Sequence, residues 1–266
     1  MIEIHYLPYM KILTLFLSLI LSHLAWAQIK NCEFGFGYTF AAPVATMKQS
    51  IRHGNGITMD FYMTPEKMNR FAFGIDMNYT VYGYDKNKQT YTFDDGTTAR
   101  MDIIVDNSFL NLMFGSRYML TASEQNYLKP YVSLKAGYSW FRTNLNIYDP
   151  DDDDHCEPVE HDLLMKDGTF LVSGGGGLQW DMKGIFKKHS PNRLLFNIGV
   201  NLTLGGQVNY MNTDAPSPTH TNHNHSDVNA QFINTQTQVV HEHHVGYVYT
   251  SFLEMMDFRA GFIFRR

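Results

Sequence analysis

Residues 71–84 read FAFGIDMNYTVYGY, and this stretch decides the fold. From Phe71 to Val81 every second residue is apolar, while small, acidic and amide residues such as Gly74, Asp76 and Asn78 stand between them. A repeat of two residues is typical of a β-strand with one apolar and one polar face. The stretch therefore predicts a strand that separates an apolar environment from a polar one.

The same alternation recurs along the chain. It marks eight predicted strands, in residues 33–40, 56–63, 70–84, 109–118, 131–141, 170–180, 193–204 and 257–264. The chain has 266 residues and is 44 % hydrophobic and 14 % aromatic, with 20 glycines, and this composition favours β structure. A formal charge of −5 excludes a basic nucleic-acid platform, and 2 cysteines exclude a disulfide framework.

A single long apolar run, ILTLFLSLILSHLAWA, covers residues 12–27. Lys11 precedes the run, and Ala25-Trp26-Ala27 closes it with small residues at the −3 and −1 positions. A basic start, a short apolar stretch and an A-x-A end are typical of a secretory signal peptide. The sequence predicts a signal peptide over residues 1–27, cleaved after Ala27, and a β-barrel domain over residues 28–266.

The direction of the apolar faces distinguishes a soluble barrel from a membrane barrel, because the first buries them and the second turns them toward lipid. The polar faces carry charged and amide residues that would be costly in a dry core, namely Asp76, Asn111, Arg117, Lys135, Gln179, Asn201, Asp257 and Arg259. Predicted connections alternate in length. The long ones are 43–55, 84–102, 147–168 and 211–245, and the short ones are 64–69, 120–128 and 183–192.

Long outer loops and short periplasmic turns are typical of outer-membrane barrels. The predicted fold is therefore all-β, an eight-stranded antiparallel up-and-down transmembrane β-barrel with long extracellular loops. Asp95-Gly96 is a hairpin signal, so the third and fourth strands are expected to continue above the membrane as a ribbon. Eight strands leave a lumen that side chains fill, which disfavours a channel. The charged groups expected to fill it are Asp76, Arg117, Lys135, Asp257 and Arg259.

Four segments carry a resemblance to a known family: residues 71–84, 128–149, 171–182 and 257–266. With them the chain resembles small outer-membrane β-barrel proteins of the OmpA-like transmembrane type. It looks closest to the "outer membrane protein beta-barrel domain" group common in Bacteroidetes. The resemblance implies a place in the outer membrane of a Gram-negative cell envelope. This group is not defined by catalytic residues, so the resemblance implies no catalytic site.

The fourth long connection is rich in histidine. Its six histidines are His220, His223, His225, His241, His243 and His244. Neutral imidazole is a good ligand for zinc, copper and nickel, and histidines two apart in an extended segment share one side. These six residues are the candidate metal ligands; the alternative is a polar loop without a dedicated site. No cofactor other than such a loop-bound metal is expected.

The third long connection is acidic. Between Tyr148 and Gly168 it carries Asp149, Asp151, Asp152, Asp153, Asp154, Glu157, Glu160, Asp162 and Asp167. Closely spaced carboxylates suit hard cations, but the ligand spacing of a calcium-binding helix–loop–helix is absent. A solvated acidic loop is the favoured interpretation, and weak cation binding is the alternative.

Two further sets of residues bear on function. Cys32 and Cys156 fall at opposite ends of the predicted barrel, so no intramolecular disulfide is expected. An enzyme acting at the outer rim would draw on the histidine and serine residues His53, His155, His161 and Ser173, but no spacing ties them together.

The predicted function is non-enzymatic: a membrane-embedded scaffold that displays its acidic loop (147–168) and His-rich loop (211–245) for surface interaction or envelope integrity. Capture of divalent metals or cations by those loops is the first alternative. A soluble periplasmic lipocalin-like barrel that binds a small ligand is the second. Expected partners are outer-membrane lipid and lipopolysaccharide, with an extracellular protein or metal as a further candidate. No nucleic-acid partner is expected, and the protein is predicted to be a monomer.

Overall fold

A computed structural model describes residues 29–92, 98–121, 127–148, 160–182, 193–213, 225–233 and 240–266. The predicted signal peptide, residues 1–27, lies outside the described residues. The strands are β1 (Ile29–Pro43), β2 (Gly54–Pro65), β3 (Phe71–Thr92), β4 (Thr98–Met119), β5 (Leu128–Tyr148), β6 (Glu160–Asp181), β7 (Arg193–Asn212), β8 (His225–Ile233) and β9 (Val240–Arg265). Short 3₁₀ turns occupy Met47–Gln49 and Glu66–Met68. Across the described ranges, no helix has the length and apolarity needed to span a membrane.

Eight of these strands form a closed barrel. Strands β1 to β7 pair antiparallel in chain order, and β9 pairs with both β7 and β1. The closing register joins Glu33 to Arg265 and Pro43 to Met255, and the Cys32 amide donates to the Arg266 carbonyl at 3.0 Å. Both ends of the described chain therefore lie at one end of the barrel. The predicted eight-stranded up-and-down fold is confirmed.

The outer surface of the barrel is apolar. Side chains from every barrel strand are exposed there, including Phe36, Ile57, Phe61, Ile75, Phe114, Leu134, Phe170, Ile198, Leu202, Phe258 and Phe262. Phe170 is 79 % exposed and Leu134 is 67 % exposed, values that would be unfavourable in water over so large a continuous surface. Charged and amide side chains such as Asp76, Arg117 and Lys135 are buried inside. This is the orientation of an outer-membrane barrel and the reverse of a soluble lipocalin-like barrel, so that second alternative is wrong.

The apolar belt has the thickness of a bilayer core. On β6 the outward positions run from Phe170 to Trp180, which is 11 residues. A tilted transmembrane strand needs about 9–11 residues to cross the hydrocarbon. Glu254, which has outward parity on β9, lies at the outer edge of this belt, where its carboxylate accepts hydrogen bonds from the Thr46 amide at 3.1 Å and the Thr46 hydroxyl at 2.8 Å.

The predicted alternation in length is seen in the first two connections, and later long connections are shorter than predicted because the strands continue into them. Strands β2 and β3 are joined through residues 66–70, whereas β1 and β2 are joined through residues 44–53. The ribbon predicted from Asp95-Gly96 is present, because β3 and β4 pair continuously up to Thr92 and Thr98. The Asp95-Gly96 turn itself lies outside the described residues.

Two of the predicted long loops contain more strand than expected. Residues 147–168 were expected to be a loop, but β6 begins at Glu160; residues 211–245 were expected to be a loop, but β8 covers His225–Ile233 and β9 begins at Val240. Strand β8 pairs only with the upper part of β9, on the side that β1 leaves free after Pro43. The reason is visible in SDVNAQFI, where Val228, Ala230 and Phe232 alternate with polar residues.

Candidate functional site

The inner half of the lumen is the half nearer to the two ends of the described chain. It holds an ion cluster around Glu33 of β1. Its carboxylate accepts hydrogen bonds from Arg265 Nε at 2.7 Å and from Arg117 Nη1 at 3.2 Å. Gln179 of β6 joins the same cluster, because its side-chain amide oxygen accepts a hydrogen bond from Arg265 Nη2 at 2.8 Å. Arg117 also approaches Asp60 at 3.5 Å. These groups come from five strands, so the cluster ties opposite walls of the barrel together.

A second cluster lies around Asp76 of β3. Lys135 Nζ is 2.6 Å from one carboxylate oxygen, and Arg259 Nη1 is 2.7 Å from both oxygens. All three side chains are buried. Asp257 is also buried and accepts a hydrogen bond from the Thr203 hydroxyl at 2.7 Å. The hydrogen bonds to Asp76 are charge-assisted, because both donors are cations and the acceptor is a carboxylate. Such hydrogen bonds are stronger than those between neutral groups.

Together these residues form what is called here the charged layer: Glu33, Asp60, Asp76, Arg117, Lys135, Asp257, Arg259 and Arg265. It contains four acidic and four basic side chains and is therefore electrically balanced. Asp76, Arg117, Lys135 and Arg259 lie in the lumen and form ion pairs there, as predicted. Asp257 is in the lumen as predicted, but its hydrogen bond runs to Thr203.

Three members of the charged layer were missed by sequence reasoning. Glu33, Asp60 and Arg265 stand at the inward parity of β1, β2 and β9, next to apolar outward residues. Their parity was the signal that could have found them. Glu33 and Arg265 lie at strand ends, where alternation is short and parity is harder to assign.

Arg117 is held between two aromatic rings. Its guanidinium carbon lies 4.1 Å from the ring centre of Tyr62 and 4.8 Å from that of Tyr131. Such stacking stabilises a buried cation and fixes the orientation of its planar group. Tyr131 reaches this position by crossing Gly177 of β6 and Gly199 of β7, where an added Cβ would lie 2.5 Å and 3.0 Å from the Tyr131 hydroxyl. Gly177 is the last residue of the glycine run Gly174–Gly177, and the absence of a side chain there leaves the space that the Tyr131 ring fills.

The two parities of the glycine run predict opposite mutational effects. We expect Gly177→Ala to lower the free energy of unfolding by about 1–3 kcal/mol, because the new methyl group would collide with the Ile198 carbonyl oxygen of the neighbouring strand and with the Tyr131 hydroxyl. Gly174 faces outward, and an added Cβ there would find only Leu134 at 3.9 Å. Gly174→Ala is therefore the matched control, with no loss and a gain of up to about 1 kcal/mol from the less flexible unfolded chain. Urea unfolding in lipid vesicles, followed by tryptophan fluorescence, measures both; equal losses would contradict the assignment.

The outer half of the lumen is apolar instead of charged. The members of this apolar layer are Ala41, Met47, Ile51, Tyr82, Phe109, Met113, Phe141, Leu171, Val208, Tyr210, Leu253 and Met255. Phe141 is at its centre, with ring centres of Phe109 at 5.2 Å and Tyr82 at 5.9 Å. The prediction of a polar lumen is therefore correct only for the inner half. Consecutive apolar residues, as in Trp140-Phe141 and Phe252-Leu253, were the available signal, because both parities are apolar there.

The connection between β1 and β2 folds into the mouth of the barrel. Met47 and Ile51 are buried in the apolar layer. The connection is fastened on one side by Thr46 to Glu254, and on the other by the Asn212 amide, which donates to the Ser50 carbonyl. The barrel is thus closed at its outer end by its own first loop.

The charged layer encloses a small cavity. A cavity of about 20 Å³ lies among Asp60, Asp76, Arg117 and Arg259 in the charged layer. A single water molecule needs roughly 10–15 Å³ measured in this way, so the cavity has room for one water and not for a hydrated ion path.

We expect planar-bilayer recordings of the refolded protein to show no stable nanosiemens-scale steps. The apolar layer would dewet a path, and the charged layer fills the bore below it. A porin refolded in the same bilayer serves as the positive control. Long-lived steps that scale with protein concentration would contradict a filled lumen.

The predicted metal ligands are only partly placed by the structure. His220 and His223 lie outside the described residues. His225 begins β8, and His241, His243 and His244 lie in β9, where His241 and His243 stand on one face of the strand because they are two apart. Among the residues whose side chains are described, no group of three potential ligands lies together.

The acidic stretch, the cysteines and the candidate catalytic residues are also only partly covered by the described residues. The acidic stretch 149–159, with His155 and Cys156, lies outside the described residues; Cys32 is a free cysteine at the start of β1. Ser173 is buried in the lumen with its hydroxyl 3.0 Å from that of Thr203, whereas His161 bonds Asn146 at 2.6 Å. Both are in β6, 12 residues apart, which is about 40 Å along a strand. His161 and Ser173 therefore do not form a catalytic group.

The β3–β4 ribbon above the belt has its own contacts. Lys86 Nζ lies 2.8 Å from Asp102, and this hydrogen bond lowers the pKa of the Asp102 carboxyl. The inward side of the neighbouring strands β4 and β5 carries a second apolar cluster of Ile103, Val105, Leu145 and Ile147. The strands therefore continue as packed structure beyond the membrane.

Comparisons with known proteins find likeness in architecture. No family model matches the chain, and no curated protein matches it. A similar solved structure is Neisserial surface protein A, with 10 % identity, a TM-score of 0.38, and coverage of 88 % of this chain and 94 % of that one. Another is the outer membrane protein OprG from Pseudomonas aeruginosa, with 10 % identity, a TM-score of 0.39, and coverage of 89 % and 95 %. A third is a major outer membrane protein from Thermus thermophilus, with 11 % identity, a TM-score of 0.36, and coverage of 88 % and 99 %.

Proposed function

We propose that this protein is a non-enzymatic scaffold of the outer membrane that presents its outer loops and ribbons for surface interaction or envelope integrity. One observation carries the proposal: the lumen is filled by a charged layer and an apolar layer, while six strands, β3 to β6, β8 and β9, lie wholly or partly above the apolar belt. A filled lumen leaves the outer extensions as the part of the molecule available for contact.

The extensions are large and built on rigid elements. Pairing between β2 and β3 ends at Val81, yet β3 continues to Thr92 with β4 alongside. Strands β5 and β6 pair up to Ile147 and Glu160. The apolar cluster around Val105 and Leu145 gives these extensions a packed inner side. Binding residues on loops that rigid strands position are a common arrangement in proteins with a binding function.

Surface proteolysis of intact cells, with mass spectrometry of the released peptides, tests the topology. We expect cuts confined to residues 84–102, 147–168 and 211–245. Cuts in 120–128 or 183–192 in intact cells would place the other end of the barrel outside and overturn the proposal.

The role itself is tested by replacing residues 226–244, most of the β8–β9 hairpin, with a short Gly-Ser linker. Heat-modifiable gel migration confirms that the shortened barrel still closes. We expect cells with the shortened protein to lose surface binding or to become more sensitive to detergent. Wild-type behaviour in both assays, and in the matching variant that shortens the β3–β4 ribbon, would contradict a display role.

Metal capture by the fourth loop is the second candidate function. What favours it is the spacing of His241 and His243, two residues apart within β9, since in an extended segment two imidazoles at this spacing can chelate one ion. The test is zinc titration of the refolded protein by calorimetry, with His→Ala changes at positions 223, 225, 241 and 243. Saturable heat that the changes abolish would support it, and no saturable heat would remove it.

A further inference from the structure

An aromatic cluster marks the outer edge of the apolar belt on β5 and β6. The ring centre of Tyr138 lies 4.9 Å from that of Trp140 and 5.1 Å from that of Phe170, the second pair edge-to-face. Tyr138 covers Gly168, where an added Cβ would lie 2.6 Å from its ring. Aromatic residues at this position belong to the interface between hydrocarbon and headgroups.

Two cations stand directly above this cluster. Arg142 of β5 and Lys166 of β6 are cross-strand partners in the register, and both are exposed on the outward face. Side chains directly opposite each other on neighbouring strands have Cβ atoms about 4.5–5.5 Å apart, and like charges there are destabilising. In the barrel without a bound ligand, the two positive charges therefore repel each other and lower its stability.

The nearby carboxylates do not relieve this repulsion. Asp106 accepts from the side-chain amides of Asn144 at 2.9 Å and Asn146 at 3.3 Å. Asp167 accepts from the backbone amides of Gly168 and Asn209, both at 2.7 Å. Each carboxylate has both oxygens engaged by neutral donors. Within the described part of the chain, neither Arg142 nor Lys166 has an acidic partner.

The height of the pair matches the headgroup layer. Arg142 is two residues beyond Trp140, which is about 7 Å along the strand and about 5 Å along the membrane normal for a strand tilted by ~45°. The polar layer of a bilayer leaflet is roughly 5–7 Å thick. Lys166 is four residues beyond Phe170, the outermost belt residue of β6, which is about 9 Å along the membrane normal. The pair therefore lies at the outer side of the headgroup layer, from which long Arg and Lys side chains reach the phosphate groups of outer-leaflet lipids.

We propose that Arg142 and Lys166 bind the phosphate group of an outer-leaflet lipid, with Tyr138, Trp140 and Phe170 packing against the acyl chains below it. A phosphate between the two cations converts their repulsion into two charge-assisted contacts, with its oxygens shared between a guanidinium and an ammonium group. This site lies on the outer wall of the barrel, so the proposal does not depend on what the outer loops bind.

Lipid binding to the refolded protein tests the site. The probe is a bisphosphorylated lipid A, titrated into the mature protein in dodecyl maltoside micelles, which contain no phosphate, and counted by native mass spectrometry. We expect the double variant Arg142→Gln/Lys166→Gln to bind at least tenfold more weakly. The control is Lys67→Gln, which removes one exposed positive charge in the short turn at the other end of the barrel and should leave binding within twofold of wild type. Equal binding by the wild type and the double variant would overturn the proposal.

Thermal unfolding gives a second readout with a change of sign. In dodecyl maltoside micelles, which contain no phosphate, the double variant is expected to be as stable as the wild type or more so, because the repulsion is gone. When lipid A is added to the micelles, it is expected to melt at a lower temperature than the wild type. The same order of stability with and without lipid A would contradict the site even if the variants bind lipid differently.

A soluble anion distinguishes the source of the phosphate. Inorganic pyrophosphate in the same maltoside micelles should raise the melting temperature far less than an equal amount of lipid A, since it lacks acyl chains to pack on the aromatic cluster. Equal protection would overturn the assignment to a lipid. Heat-modifiable migration shows whether each variant folds, and the single variants, each retaining one cation, are expected to fall between wild type and double variant.

Discussion

Replacing Asp76 with asparagine is expected to lower the free energy of unfolding by about 3–5 kcal/mol. Asp76 is fully buried and is the acceptor for both Lys135 and Arg259. Asparagine has nearly the same shape but no charge, so two cations remain in the lumen without their shared partner. The uncompensated charge, and not a lost volume, causes the expected loss.

Two further variants separate this cause from others. The quadruple variant Asp76→Asn/Asp257→Asn/Lys135→Met/Arg259→Met removes two acidic and two basic side chains, so the rest of the charged layer stays balanced, and it is expected to recover much of the stability. Asp102→Asn, which breaks the ion pair with the half-exposed Lys86 in the β3–β4 ribbon, should leave unfolding unchanged. Urea unfolding in vesicles measures all three. A single variant as stable as Asp102→Asn would contradict the role assigned to Asp76.

Phe141→Ala is expected to cost about 3–5 kcal/mol, because it empties the centre of the apolar layer. Phe141 is fully buried against Phe109, Tyr82 and Tyr210, which come from three other strands. Closed-barrel neighbours cannot easily collapse into the space, so most of the cavity is expected to remain.

The graded control for this change is Phe141→Leu, which keeps part of the volume and is expected to lose clearly less stability. Both variants should still show no conductance, because the charged layer below is intact. The measurements are urea unfolding in vesicles and planar-bilayer recording of the same samples. An Ala variant no less stable than the Leu variant would show that the apolar layer does not support the barrel.

The architecture was predictable from sequence because a membrane barrel imposes the same two-residue repeat on every strand. Residues 71–84 and 193–204 each show the repeat over a whole crossing, and the parity of Asp76 and Lys135 gave their lumen positions directly. The ribbon followed from the turn chemistry of Asp95-Gly96. These features depend only on residues that are close together in the chain, so they can be predicted from the sequence.

Features that depend on packing between distant segments were not predictable in the same way. The apolar layer arises because Phe109 and Phe141 meet across strands while the first loop brings Met47 to them. The β8 strand was obscured by histidines and amides around Val228 and Phe232. Which acid pairs with which base depends on the register around the barrel, so the link of Glu33 to Arg117 could not be inferred from their positions in the chain.

The last strand completes the electrostatics of the lumen. Before β9 arrives, three carboxylates, Glu33, Asp60 and Asp76, face only two cations, Arg117 and Lys135. Strand β9 adds Arg259 and Arg265 together with Asp257, so neutrality is reached only when the sheet closes on itself. An insertion intermediate that lacks this strand would have to carry net negative charge into hydrocarbon, which is strongly unfavourable. We therefore expect insertion into the bilayer to be coupled to closure of the barrel, because the charges of strand β9 are needed to neutralise the lumen.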